Sequence, residues 1–246
     1  MSVSDVERAD RATPGLSPSM LVHAVVALGL IAWLNHRIAH AVPFSVKKIE
    51  QSYLIFYYHL PSALSCSIFF AIVLVGSIQV LRTGSAEWDR RAVVAGRVGV
   101  AACAATLASG STWASAAWNT WWDWGDPRLM TAAIMFFTYA GYVLLHAQVE
   151  DPVRRRRFGA IYGILAFVNI PLTKYAIEWF GATAHPAELS NIATDEAIVI
   201  TKSVGVLAFF TLYCLVYRWA LQRERTKDRL RSVLTRVRAI EEGAAA

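Results

Sequence analysis

A chain of 246 residues that is 56% hydrophobic and 17% charged has too little polar surface to coat a soluble domain of its size, which excludes that class. A mean hydropathy of +0.40 points to a polytopic helical membrane protein. The net charge of +6 fits membrane topology better than nucleic-acid binding, because the cations gather in a few connections instead of along one groove-sized face.

Taken in order, residues 1–19 mix Asp5, Glu7, Arg8, Asp10 and Arg11 with Pro14 and Pro18. They lack the basic start and small-residue cleavage site of a secretory signal, so a solvated tail before an uncleaved first span is expected. Crossing a bilayer core takes about 20 apolar residues. Six segments qualify: 20–38, 57–80, 92–111, 129–149, 158–175 and 197–217. The expected fold class is all-α, a six-span domain over 20–217 between the tail at 1–19 and a basic tail at 218–246. The basic tail repeats aliphatics at helical spacing (Leu221, Leu230, Val233, Leu234, Val237, Ile240) and reads as a continuation of the sixth helix, with partner docking as the sharper reading.

Orientation follows from the cations. With six spans both termini share a side, and that side collects seventeen Lys and Arg: Arg8 and Arg11, then Arg82, Arg90 and Arg91, then Arg154 to Arg157, then eight between Arg218 and Arg238. The opposite connections hold five: Arg37, Lys47, Lys48, Arg128 and Lys174. The positive-inside rule puts both termini in the cytoplasm and the connection at 112–128 outside, which in a bacterial inner membrane is the periplasm.

That connection holds Trp113, Trp118, Trp121, Trp122 and Trp124, five of the chain's nine tryptophans, together with Asp123, Asp126 and Arg128. Indoles suit either a lipid–water boundary or the face of a large planar ligand, so an aromatic belt and a ligand platform are both open. His59 precedes the cluster and His185 follows it, each at the external end of a helix. Two neutral imidazoles are a ligand set for six-coordinate haem iron. Of the other histidines, His36 and His40 are four apart and share a helical face, without a cysteine or carboxylate to complete a zinc set. His23 and His146 are the only pair that could hold haem within the bilayer, as electron-transfer anchors do.

Cys66, Cys103 and Cys214 lie singly in apolar runs and read as small core residues; covalent c-type haem is excluded without CxxCH. GxSxG, HExxH and a Walker lysine loop are all absent, so any ATPase would be a separate subunit.

The order Tyr-Tyr-His-Leu-Pro-Ser at 57–62, then Gly110-Ser-Thr-Trp113, then Trp118-Asn-Thr-Trp-Trp-Asp-Trp-Gly-Asp-Pro-Arg128-Leu, then Asn169-Ile-Pro-Leu with Glu178, Trp179 and His185, resembles the CcmC family. These are haem-handling membrane proteins of cytochrome c maturation, and the resemblance runs from about residue 20 to 217. It implies non-covalent haem b at the periplasmic face, with His59 and His185 as axial ligands. It also implies a platform of Trp113, Trp118, Trp121, Trp122 and Trp124 with Asp126 and Arg128. Delivery to the haem chaperone CcmE, beside CcmA, CcmB and CcmD, is implied too, with the lipid bilayer as surroundings and no nucleic acid as partner. The function so implied is haem delivery more than enzymatic turnover. A cytochrome c synthase of the same superfamily, a haem b anchor and a transporter permease are the competing classes. Two departures from the family motif stand out: Asn119 replaces a glycine, and Gly125 separates Trp124 from Asp126, so Asp123 or Asp126 takes the motif aspartate's role, with Pro127 and Arg128 favouring Asp126.

Overall fold

All six apolar segments form helix, as expected where backbone polar groups must be satisfied without water. The structure, a computed structural model, describes residues 17–40, 52–181 and 196–245. Its helices are α1 (Pro18–His40), α2 (Phe56–Thr83), α3 (Ala86–Trp118), α4 (Pro127–Gln148), α5 (Pro152–Ala166), α6 (Asn169–Phe180) and α7 (Glu196–Ala245), with a short 3₁₀ turn at Ser52–Ile55 before α2. Six stretches are long and apolar enough to span a membrane, α5 and α6 together making one. The described residues contain no strand, so the all-α expectation holds.

Three spans differ from their expected limits for local reasons. Helix α3 runs 33 residues, well past 92–111 at both ends. Ser85 caps its start by accepting from the Trp88 N–H, and Asn119 closes its end in the left-handed conformation, φ 56°, with its N–H donating to the Ser115 carbonyl. Trp113 and Trp118 therefore stand on a helix, and the connection proper begins at Asn119. The fifth span is broken between α5 and α6, because Pro171 has no N–H to reach the Phe167 carbonyl four residues back. The Ile170 N–H takes that carbonyl instead, at 3.0 Å. Helix α7 is continuous for 50 residues, which bears out the basic tail as an extension of the sixth span.

Helices α2 and α3 form a hairpin at the centre, joined at Gly84, whose φ of 66° ends α2. Small residues let the helices approach closely: a Cβ on Gly76 would lie 2.9 Å from Ala92, and one on Gly99 would lie 2.5 Å from the Phe70 ring. Phe70 stacks on Tyr139 of α4 with ring centroids 3.5 Å apart, in a core that includes Cys66, Phe69, Val73, Cys103 and Tyr142. Helix α7 packs on α1 and α2. Where it crosses α2, Pro61 has removed the donor for the Tyr57 carbonyl, and a Cβ on Gly205 would stand 3.0 Å from that oxygen.

Ion pairs gather at the opposite end from the tryptophans. Arg90 Nε donates to Asp228 at 2.9 Å and Arg97 to Glu224 at 2.8 Å, while Glu87 meets Arg90, Arg91 and Arg225. These pairs fasten the charged half of α7 to the start of α3.

Candidate functional site

At the tryptophan end, α2, α3, α4 and α6 enclose an aromatic cavity of about 230 Å³. Its walls are Phe56, His59, Trp113, Trp118, Trp122 and Leu129, with Cys66, Cys103 and Met135 at the deep end and Asp123, Arg128 and Thr173 also lining it.

His59 stands one turn into α2, where its ring meets α3. Nδ1 lies 3.1 Å from the Thr106 carbonyl and 3.1 Å from Ser109 Oγ. The Ser109 hydroxyl donates to the Ala105 carbonyl at 2.7 Å, so both groups facing Nδ1 are acceptors. The ring proton is therefore on Nδ1, and Nε2 carries the lone pair. Gly110 makes room for this pose, since a Cβ there would be 3.0 Å from His59 Cε1. Trp113, 3% exposed, meets the His59 ring edge-on at 6.1 Å, and Trp118 lies 6.0 Å beyond Trp113.

The tryptophans divide. Trp113, Trp118 and Trp122 line the cavity. Trp121 and Trp124 are 66% and 77% exposed and lie outside it. The platform reading suits the first three, and the boundary-belt reading suits the other two.

The two aspartates divide as well. Asp126 is fully buried and caps α4, its Oδ1 accepting from the Arg128 and Leu129 N–H groups at 2.9 and 3.0 Å, with Pro127 in the first helical turn. Asp123 lines the cavity and accepts from the Gly125 N–H at 2.8 Å. The two carboxylates act separately, Asp126 fixing the helix start and Asp123 shaping the turn beside the cavity. Arg128, on the first turn of α4, donates through Nη2 to the Lys174 carbonyl at 3.2 Å, tying α4 to α6. Trp122 Nε1 and Thr173 Oγ1 are buried with no hydrogen-bond partner among the described residues.

His185 falls outside the described residues. The remaining histidines are brought to no common site. His23 Nε2 donates to the Thr211 carbonyl at 3.0 Å and Nδ1 meets Arg218 Nη1 at 2.9 Å, which occupies both ring nitrogens on α1. His146, on α4, packs Nε2 where a Cβ of Gly159 would be 2.1 Å away. His36 and His40 do share a face, with ring centroids 4.7 Å apart, and the described residues hold no group of three or more His, Cys, Asp or Glu that could hold a metal ion.

Thr106 and Ser109, which hold His59, and Thr173 of the lining were not singled out from the sequence. Thr106, Ser109 and Gly110 sit at i, i+3 and i+4 on one face of α3, a run of small and hydroxylated positions that marks where a helix receives a neighbour's side chain. Thr173 follows Pro171 too closely to stand out from the helix break.

Fold and site together define a multi-pass helical membrane protein that sets an oriented imidazole into an indole-walled cavity at one end of its bundle. Residues 4–238 match the family model described as heme exporter protein C, CcmC, and the chain belongs to that family. It is 28% identical over 182 residues to heme exporter protein C of Bradyrhizobium diazoefficiens, covering 73% of this chain and 69% of that one. Identity to the Paracoccus denitrificans heme exporter protein C is 26% over 186 residues, 74% and 77% of the two chains. For the Escherichia coli K12 protein of the same name it is 28% over 161 residues, 65% of each.

Proposed function

We propose that this chain handles haem for cytochrome c maturation, binding haem b non-covalently at the tryptophan end of its bundle and delivering it to the chaperone CcmE. The observation that carries the reading is the His59 ring, held by Thr106 and Ser109 with its Nε2 lone pair available on a cavity walled by Trp113, Trp118 and Trp122. Family membership supports it, since the relatives are named heme exporter protein C.

The residues present fit the cargo. Haem is a flat apolar macrocycle with two carboxylates, and the indoles offer apolar faces to the ring. Trp122 Nε1 and Thr173 Oγ1 are buried polar atoms on the lining with donors to give, and Arg128 lines the same cavity, so carboxylate groups would find donors there. The cavity's 230 Å³ is below the roughly 300–1,000 Å³ of pockets that enclose a whole small ligand, which suits partial enclosure and later release. His59 is the first iron ligand in this reading, and His185 is the second. With both termini in the cytoplasm the site opens to the periplasm of a bacterial inner membrane, where CcmE receives the cargo while CcmA, CcmB and CcmD complete an ABC-type assembly.

The test is the optical spectrum of the detergent-purified protein, oxidised and reduced, beside His59→Ala and His185→Ala. Low-spin bis-histidine haem in the parent, lost or turned high-spin in each variant, is the expected result. A parent without haem, or variants with unchanged spectra, overturns the ligand assignment.

A further inference from the structure

A second, larger cavity lies at the ion-paired end, between the start of α3, the end of α4, the start of α5 and the charged half of α7. Its volume is about 560 Å³, within the range of small-ligand sites. Six cations line it, Arg90, Arg97, Arg155, Arg156, Lys227 and Arg231, against three carboxylates, Asp89, Glu224 and Asp228. Two of the cations are committed, Arg90 to Asp228 and Arg97 to Glu224. Asp89 lies 3.9 Å from His146 Nδ1. Arg155, Arg156, Lys227 and Arg231 have no ion-pair partner among the described residues.

Local structure explains why these side chains turn inward. Asp151 caps α5 by accepting from the Arg154 N–H at 2.7 Å, with Pro152 in the first turn, which fixes the rotation of the run Arg154–Arg157. Arg155 and Arg156 are half-buried on the cavity, while Arg154 and Arg157 face outward, exposed. The positive end of the α5 dipole adds to the same field. From α7, Lys227 and Arg231 are four residues apart, hence on one face, and the Arg90–Asp228 and Arg97–Glu224 pairs hold that face over the opening.

We infer that this cavity is a binding site for a phosphate-bearing anion, held by Arg155 and Arg156 from one side and by Lys227 and Arg231 from the other. Arginine forks match phosphate oxygens, and the four cations outside ion pairs, set against the one carboxylate of Asp89 that faces Arg155 and Arg156, leave a net of three positive charges for a group with more than one negative charge. The lining contains no Phe, Tyr or Trp on which a nucleotide base could stack. Exposed Val153, Phe158 and Ile161 continue along the outer side of α5, so the phosphate can belong to a lipid with acyl chains against that helix, or to a free anion. The site uses no residue of the haem cavity and stands independently of the haem reading.

The experiment uses the full chain purified in detergent, with two probes, cardiolipin and inorganic pyrophosphate, and phosphatidylcholine as the net-neutral comparison. Binding is read by native mass spectrometry and by the shift in thermal unfolding. The variants are Arg155→Gln/Arg156→Gln and Lys227→Gln/Arg231→Gln, set against Arg154→Gln/Arg157→Gln, which removes the same charge from the same helix on its exposed side. The expected result is binding that weakens roughly tenfold or more in each inward pair and is kept in the outward pair. Binding of cardiolipin alone assigns a lipid headgroup, and binding of pyrophosphate as well assigns a free phosphate group. Failure of both probes to bind, or equal loss in the inward and outward pairs, overturns the site. Helical circular dichroism of each variant without probe shows whether it has folded, and the single substitutions replace any pair that has not.

Discussion

His59 Nδ1 donates to the carbonyl oxygen of Thr106, 3.1 Å away on the neighbouring helix. A main-chain carbonyl cannot donate in return, so this contact fixes both the ring's tautomer and its direction. Such outer partners typically govern metal affinity by about 10–100-fold. The backbone acceptor survives any side-chain change at Thr106, which directs the test to Gly110, where a Cβ would meet His59 Cε1 at 3.0 Å. Gly110→Val should lower haem retention roughly tenfold, with a shift toward high-spin iron in the optical spectrum, while Ser109→Ala should keep most of it. Unchanged spectra in Gly110→Val would show that the ring has room to spare.

Asp126 should behave as a structural residue. Asp126→Ala strips the acceptor from two half-buried N–H groups at the start of α4 and should cost about 2 kcal/mol, seen as a fall of roughly 4–8 °C in the unfolding midpoint. Asp126→Asn, which can still cap, should recover most of the loss. Asp123→Ala should leave the midpoint nearly unchanged and alter the cavity instead, detected as a change in haem content at constant stability.

The left-handed Asn119 predicts its own substitution pattern. Asn119→Gly supplies a residue that takes positive φ without a Cβ penalty and should be neutral. Asn119→Val forces a β-branched residue to φ near 56° and should cost about 1–2 kcal/mol by thermal unfolding.

Gly159→Ala brings a methyl to within 2.1 Å of His146 Nε2 and should destabilise the protein by about 1–3 kcal/mol. The double variant Gly159→Ala/His146→Ala removes the obstacle. A double-mutant cycle should therefore give a coupling of at least about 1 kcal/mol. Strict additivity would show that His146 moves aside without cost.

The Asp151 cap carries a pH dependence. The Arg154 N–H holds its carboxyl below the ordinary carboxylate pKa. A group depressed in the folded state contributes stability above its unfolded pKa, about 3.9, and loses that contribution as pH falls through the lower folded value. Between pH 5 and 3 the unfolding midpoint of the parent should fall more steeply than that of Asp151→Asn, and identical slopes would remove the cap from the account.

The spans were legible because twenty-residue apolar runs have few alternatives in a bilayer. Their ends were harder to read, since they depend on single residues acting on backbone groups. Helix α3 runs on through Trp113 and Trp118 until Asn119 stops it, by adopting a conformation that nothing in the hydropathy signals. Pro171 splits the fifth span, although proline inside a membrane helix often does no more than kink it, as Pro61 in α2 shows. His59 and the tryptophan cluster were visible as residue types at unusual density. Which indoles face inward was not visible, because that depends on the helix phase at Trp113 and on the turn from Asn119 to Asp126. The acceptors for His59 come from α3, forty-seven and fifty positions along the chain from the ring, and only packing reveals that proximity.

The unbroken α7 crosses α2 at Gly205, close to one of its own ends. It is held a second time about 30 Å further on, where Glu224 and Asp228 meet Arg97 and Arg90 of α3. A straight rod pinned at two points cannot turn about either one alone. The Tyr57 carbonyl, two residues from His59, and the ion-paired end of the bundle are thereby kept in fixed register by a single continuous helix.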